Sequence, residues 1–210
     1  NLSIEGLLSL KPNLILAEES IGPPIILKQL KKTSVEFRII KNNYTIDGIN
    51  EKFLCVSNIL DIDINNNLDY KKFVNNAKIL KSLVKNNRKE KANILLILMM
   101  KGSSPIIAGK NTSGHGFIKM IGQNNSMNKV YGWKPVAAEE IILANPNHII
   151  ITQRALKDFL SIEKFLKLPG ISSTTAAKNK NIYIKDGMSL LGYGPRTLDV
   201  AKDILINIKD

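Results

Sequence analysis

The side chains able to hold a metal or a ligand are few in this chain of 210 residues, which has two histidines and one cysteine. His115 follows Ser113 and Gly114 in what reads as the first turn of a helix capped by Thr112. The helix dipole there disfavours an imidazolium, and the neutral imidazole is the form a metal needs. An exposed, unengaged ring is the plainer reading of the same position. Arg154 follows the apolar run His148 to Thr152, where a guanidinium can grip a carboxylate in a bidentate fork. Tyr131 and Lys134 flank Gly132-Trp133, and Tyr193 sits with Arg196 in a Gly-Tyr-Gly-Pro-Arg turn. Arg196 reads as a brace for the final helix, His148 as a satisfied structural histidine, and Cys55 as a small core residue in Phe-Leu-Cys-Val. The sequence has no Gly-x-Ser-x-Gly elbow, no Walker A loop, no metal-spaced Cys/His cluster and no adjacent carboxylate pair. The chemistry available is therefore that of binding, and the chain reads as no enzyme.

These residues need elements to position them, and the chain writes one element twice. Leu2 to Ser20 (LSIEGLLSLKPNLILAEES) aligns without a gap on Val136 to Arg154 (VAAEEIILANPNHIIITQR). Glu5 falls on Glu139, Pro12 on Pro146 and Asn13 on Asn147, at a constant offset of 134 (139 − 5, 146 − 12). That spacing far exceeds the roughly 20–50 residues of solenoid or propeller repeats. It reads as two lobes, each with one copy of a helix–turn–strand unit, and two lobes imply a ligand cleft. Each copy places a glutamate, Glu5 or Glu139, in the first turn of its helix, which the dipole favours.

The remaining elements follow from apolar spacing. Ser3 caps the first short helix and Lys11-Pro12 ends it. Leu14–Ala17 and Val35–Ile40 read as strands, with a helix over Ile25–Lys32 between them. Ile46–Leu60 reads as helix. Leu68–Asn87 is the clearest helix, with Tyr70, Phe73, Val74, Ala77, Leu80 and Val84 at three- and four-residue steps. The second lobe opens on a buried strand, Asn93–Met100, followed by a loop over Lys101–Pro105. Strands at His148–Thr152 and Asn181–Lys185, a helix over Ile162–Leu168 and a final helix over Leu198–Ile208 complete it, with residues 187–197 read as a loop. The fold class is α/β: two lobes with parallel-sheet cores joined by one long helix. The expected boundaries are 1–66 for the N-terminal lobe, 67–90 for the connecting helix and 91–210 for the C-terminal lobe. Ligands of open α/β sheets sit beyond the carboxyl ends of the strands, which here present Lys101–Pro105, Gln153-Arg154 and Gly187–Arg196.

Composition bounds the rest. The residues are 44% hydrophobic and 23% charged, enough for ordinary globular cores, and no apolar run approaches the roughly 20 residues of a membrane helix. The net charge of +12 invites a nucleic-acid reading, but aromatics are only 6% and the lysines are scattered. A solvated basic surface is the plainer account, with attraction of an anionic ligand or partner surface as the functional one.

Several stretches together resemble the periplasmic haem-binding proteins of bacterial ABC importers, the helical-linker class of substrate-binding proteins. They are LSIEGLLSLKPNLILA, GSSPIIAGKNT, YGWKPVAAEEIILANPNHIIIT, LPGISSTTAAKNKNIYIKD and LLGYGPRTLDVA. The resemblance runs in order over nearly the whole chain. It implies capture of haem (haemin) in the periplasm and its delivery to a permease dimer in the inner membrane, with an outer-membrane haem receptor system as a further partner. It implies haem-facing roles for Arg154, Tyr193, Tyr131 and Lys134. His115 departs from the family's pattern, which more often has an Ala-Ala-Asp run where this chain has Ser113-Gly114-His115; its position in a second-lobe loop makes it a haem-facing and metal-ligand candidate on its own account. It gives Glu5 and Glu139 the role of docking onto the two permease subunits. The family's haem-ligating tyrosine belongs to a Gly-Tyr-x-Arg stretch just ahead of the residues that open this chain. With no initiator Met, the chain is expected to be an N-terminally truncated piece whose main iron ligand lies upstream. A ferric siderophore or cobalamin in the same architecture is the alternative ligand, and a basic nucleic-acid-binding module is the remaining alternative.

Overall fold

The computed structural model describes residues 3–19, 21–22, 24–86, 91–102, 104–157, 159 and 161–208. Leu2, Ser20, Asn87 and Ser103, which belong to expected segments, lie outside them. The chain divides into two compact units, residues 1–43 with 47–64, and residues 44–46 with 65–210.

In the smaller unit, Ser3 caps α1 (Ile4–Ser9), its hydroxyl accepting from the Gly6 N–H at 3.1 Å. Strand β1 (Leu14–Glu18) follows, then α2 (Pro24–Leu30), β2 (Glu36–Ile40) and α3 (Ile46–Ile59). β1 and β2 pair in parallel, Leu14 opposite Glu36, as a two-stranded sheet. Both oxygens of Glu18 are engaged: Lys52 of α3 donates to one at 2.6 Å and Asn42 to the other at 2.8 Å. The end of β1 is thereby tied to the helix that follows β2. Cys55 departs from expectation, because it is exposed. α3 carries Phe53, Leu54, Cys55 and Val56 in succession, so its apolar residues circle the helix, and the residues it buries are Gly48, Ile49 and Ser57.

The larger unit begins with α4 (Leu68–Asn86), whose 19 residues extend about 28 Å at 1.5 Å each. Phe73 and Leu80 are buried as the periodicity requires. α4 packs along α11 (Pro195–Asn207) through a polar link, with the buried Asn76 amide donating to Asp199 at 2.8 Å and Lys202 donating to Asn76 at 2.6 Å. The six-stranded sheet runs β6 (Trp133–Pro135), β4 (Ser104–Ala108), β3 (Asn93–Lys101), β7 (His148–Thr152), β8 (Ile182–Lys185), and β5 (Asn124–Asn125) also pairs with β3. β3, β7, β8 and β5 are parallel; β4 and β6 are antiparallel to their neighbours. Ile94–Ile97 and Ile149–Ile151 are fully buried, as a parallel strand covered on both faces demands.

The repeat is realised in three dimensions. β1 and β7 occupy bounds 134 residues apart, in different sheets and different units. α1 and its counterpart α6 (Ala138–Ala144) both end at a left-handed residue, Lys11 with φ +48° and Asn145 with φ +34°. The αL residue closes the helix and the following proline prevents its resumption. At Asn145 the side chain adds a second function, accepting from the Thr175 N–H at 2.9 Å.

Two expected loops are regular structure. β3 runs on to Lys101 and turns directly into β4, with Lys101 opposite Ser104 in a tight hairpin. Gly187–Leu191 forms helix α10, capped by Asp186, which accepts from the Ser189 N–H at 2.8 Å. α11 starts three residues earlier than expected, because Pro195 suits the first helical position.

Candidate functional site

Helix α5 (Ser113–Met120) is the centre of the largest group of candidate residues. Thr112 accepts from the His115 N–H at 3.1 Å, so the first turn is fixed as the sequence implies. His115 is half-buried, and its Nδ1 lies 3.1 Å from the Asn125 amide nitrogen. Burial, reinforced by the charges of Lys119 and Lys110, holds its imidazole below the ordinary histidine range. Lys110 in turn sits 5.4 Å from the centre of the Tyr131 ring, a cation–π contact. Tyr131 is 58% exposed. β6 follows directly, with Trp133 opposite Ala108 and the exposed Lys134 opposite Ile107. His115, Lys110 and Tyr131 therefore gather around α5 and the start of β6; Trp133 faces α5, so Lys134, the next residue along the strand, leaves the sheet on the opposite face with Ile107. Sequence reasoning missed Lys110 and Asn125 as site residues: Lys110 stands in the GSSPIIAGKNT stretch with no role of its own, and Asn125 belongs to no motif and is held beside His115 by the pairing of β5 with β3.

Tyr193 does not present its ring at a surface. It is fully buried, its hydroxyl donates to the Ser113 carbonyl at 2.7 Å, and Tyr44 packs on it at 4.9 Å between ring centres. Burial, with a smaller contribution from Tyr44, pushes its phenol well above the ordinary tyrosine range, so it stays a donor. The expectation that Tyr193 touches a ligand is corrected accordingly: its contacts make it a support beneath the first turn of α5. Gly116 permits the arrangement, since a Cβ there would run into Tyr44 and stand 2.9 Å from the Tyr193 hydroxyl.

Arg154 stands apart from this group. It lies in the first turn of α7 (Gln153–Lys157), immediately beyond the carboxyl end of β7, and is exposed. The Thr152 hydroxyl donates to the Leu98 carbonyl at 2.6 Å, which levels this end with the last residues of β3. Gly187 adjoins Thr152, so the carboxyl ends of β3, β7 and β8 do lie side by side. His115, by contrast, contacts Asn125 of β5, which pairs with Ile94 near the start of β3. A groove of about 410 Å³ beside α7 is lined by Gln153, Leu156, Lys157, Ser161 and Ile184, without Arg154. Arg196 is exposed in the first turn of α11, and its charge lowers the Asp186 carboxyl beyond what the Ser189 bonds achieve.

Glu5 and Glu139 are both exposed, one in each unit, and neither forms an ion pair with a described residue. A backbone N–H and the Ser3 hydroxyl, at 2.8 Å, hold the Glu5 carboxyl below its ordinary range. On α6 it is Glu140, not Glu139, that folds back to accept from the Ala137 N–H at 3.0 Å. His148 is satisfied as expected: its Nδ1 is 3.0 Å from the Tyr183 hydroxyl. Among the described residues no helix is long and apolar enough to cross a membrane, and no group of three or more His, Cys, Asp or Glu could hold a metal ion.

Comparison with known proteins agrees with this architecture. The periplasmic heme-binding protein RhuT from Roseiflexus sp. RS-1, in apo form, is 26% identical with a TM-score of 0.86, over 98% of this chain and 79% of its own. A possible iron-binding (periplasmic solute-binding) protein from Staphylococcus epidermidis ATCC 12228 is 28% identical with a TM-score of 0.72, over 100% of this chain and 81% of its own. The uncharacterized ABC transporter substrate-binding lipoprotein YvrC of Bacillus subtilis (strain 168) is 21% identical over 99% of this chain, which spans 65% of that relative's length. Residues 1–187 match the family described as periplasmic binding protein. With that match covering most of the sequence, and with the helix–strand unit present once in each of two α/β units, the chain belongs to the periplasmic binding protein family.

Proposed function

We propose that this chain is part of the substrate-binding component of an ABC importer, located in the periplasm, that captures haem and delivers it to a permease dimer in the inner membrane. The observation that carries the reading is the likeness, at 26% identity and a TM-score of 0.86, to a periplasmic heme-binding protein over almost the whole chain. The residues are suited to the task. Arg154, exposed beyond β7, has the guanidinium to grip a propionate or to steady an iron-bound phenolate. Tyr131 and Lys110, in cation–π contact, offer an aromatic and cationic surface to a flat, dianionic ligand. Tyr193 supports that surface from beneath. Glu5 and Glu139 are exposed acids at equivalent places in a duplicated unit, which suits docking onto a twofold-symmetric partner. We read α4 (Leu68–Asn86), which lies in sequence between the two copies of the repeated unit, as the rigid connector of this scheme.

Titrating haemin into the full-length protein and following the Soret band tests the reading. Arg154→Ala should weaken binding about ten- to a hundredfold, the equivalent of a charge-assisted hydrogen bond of about 1.5–3 kcal/mol. Arg154→Lys should recover only part of it, because lysine lacks the bidentate fork. Unchanged affinity and spectrum in Arg154→Ala would remove Arg154 from the site. A ferric siderophore is the second reading, supported by the likeness to the possible iron-binding protein from Staphylococcus epidermidis. Failure to bind haemin together with saturable binding of a ferric siderophore would favour it.

A further inference from the structure

The protonation of His115 is fixed by its neighbour. Asn125 is 2% exposed and its amide has one permitted orientation. Its Oδ1 accepts from the Met127 N–H at 2.9 Å, and its Nδ2 donates to the Ala108 carbonyl at 2.8 Å. Turning the amide over would set oxygen against oxygen at Ala108 and N–H against N–H at Met127. The second Nδ2 hydrogen points at His115 Nδ1, 3.1 Å away. Nδ1 must therefore be the bare, accepting nitrogen, and the ring proton belongs to Nε2. Turning the ring over instead would leave a buried amide N–H without a partner. Nε2 has no hydrogen-bond partner among the described residues.

We infer that His115 is a fixed hydrogen-bond donor, through Nε2–H, for a carboxylate of the bound ligand, and that it is not a metal ligand. To bind a metal, Nε2 would have to offer a lone pair, and its proton would have to move to Nδ1, where it would face the Asn125 N–H. Protonating both nitrogens meets the same clash. The surroundings favour an anion over a cation: Lys119 shares the helix, Lys110 approaches from the preceding loop, and both charges act on the imidazole. The first turn of α5 adds the positive end of a helix dipole. A carboxylate accepted by Nε2–H would be held by these charges as well. The identity of the carboxylate as a haem propionate rests on the proposed function; the donor role of the ring does not.

The test has two arms. Long-range ¹H–¹⁵N spectra of the protein at about pH 8, where both histidines are neutral, separate pyrrole-type from pyridine-type nitrogens. His148 is the internal reference. The Tyr183 hydroxyl donates to the Asn207 carbonyl at 3.0 Å, so it must accept from His148, whose proton is on Nδ1. The two histidines should show opposite tautomers, and a proton on His115 Nδ1 would overturn the inference. In the second arm, haemin and haemin dimethyl ester are titrated into His115→Leu and His115→Gln. His115→Leu should lose about tenfold or more in affinity for haemin with an unmoved Soret band, and much less for the ester, because the bond to a charged acceptor is the stronger. His115→Gln keeps an N–H donor and should recover part of the loss. A shifted Soret band in His115→Leu, or equal losses for acid and ester, would refute the donor role. If haemin does not bind the unaltered protein at all, the haem reading falls, and the tautomer alone decides the role of His115.

Discussion

Replacing Tyr193 by phenylalanine isolates the support beneath α5. The hydroxyl is buried and donates to the Ser113 carbonyl at 2.7 Å. The residue also has φ +46°, a left-handed backbone that costs a non-glycine residue on the order of 1–3 kcal/mol. Burial of the ring and its hydrogen bond have to outweigh that strain. Phenylalanine keeps the ring and its packing against Tyr44, and removes one buried hydrogen bond. The net worth of such a bond is about 0.5–1.5 kcal/mol, and a buried acceptor left short of a partner raises the loss toward about 3 kcal/mol. We expect a destabilisation of about 1–2 kcal/mol at pH 7. Urea unfolding followed by the fluorescence of Trp133 measures it in the right place, since Trp133 is the only tryptophan and a Cβ on Gly114 would lie 2.8 Å from its ring. A second readout comes from alkaline pH. The folded phenol is held above its ordinary value, so above about pH 10 the unfolded chain has released a proton that the folded chain retains. Stability must then fall as pH rises, by up to about 1.4 kcal/mol per pH unit from this one residue. Tyr193→Phe lacks that component and should show a shallower alkaline limb. Equal stability at pH 7 together with an equal alkaline slope would refute the buried donor and the role built on it.

Four further perturbations follow. Burial holds the His148 imidazole below its ordinary range, so an unfolded chain takes up a proton near pH 6.5 that the folded one refuses; stability should fall as pH drops below about 6.5, and His148→Asn should flatten that limb in acid titrations of urea midpoints. Gly114→Ala would place a Cβ 2.5 Å from the Ala108 Cβ and 2.8 Å from Trp133, so we expect a loss of about 1–3 kcal/mol and a shifted Trp133 emission; an unchanged emission maximum would count against the packing. Glu5→Ala with Glu139→Ala should leave folding and haemin affinity intact while abolishing uptake through a reconstituted importer, and undiminished uptake would end the docking proposal. Gly116→Ala should destabilise the larger unit similarly, through Tyr44 and the Tyr193 hydroxyl, as read by hydrogen exchange in α5.

The features legible in the sequence are those set by local chemistry. The cap at Thr112, the helix ends before Pro12 and Pro146, and the strand at His148–Thr152 each depend on a few neighbouring residues. Apolar periodicity located α4, and the duplicated segment located one helix–strand unit in each of two sheets, because a repeated sequence repeats its local preferences. α10 also has a local signal, since Asp186 ahead of Gly187 is a residue type that caps a helix and does so here.

What the sequence could not decide was direction. Cys55 is apolar-flanked yet exposed, because α3 carries apolar residues on every side and only packing selects Gly48, Ile49 and Ser57 as the residues it buries. Lys101 and Ser104 read equally well as loop or hairpin; pairing with an already placed β3 makes the hairpin. The resemblance gives Tyr193 a ligand-facing role, whereas its ring is fully buried and its hydroxyl donates to the Ser113 carbonyl. Its backbone is left-handed and its ring is packed against α5, where burial offsets the strain. The type of chemistry at His115 was decided by Asn125, ten residues away in sequence. A hydrogen bond's donor and acceptor are assigned by the whole closed network of partners, and such a network exists only once β4 and β5 have folded back onto β3.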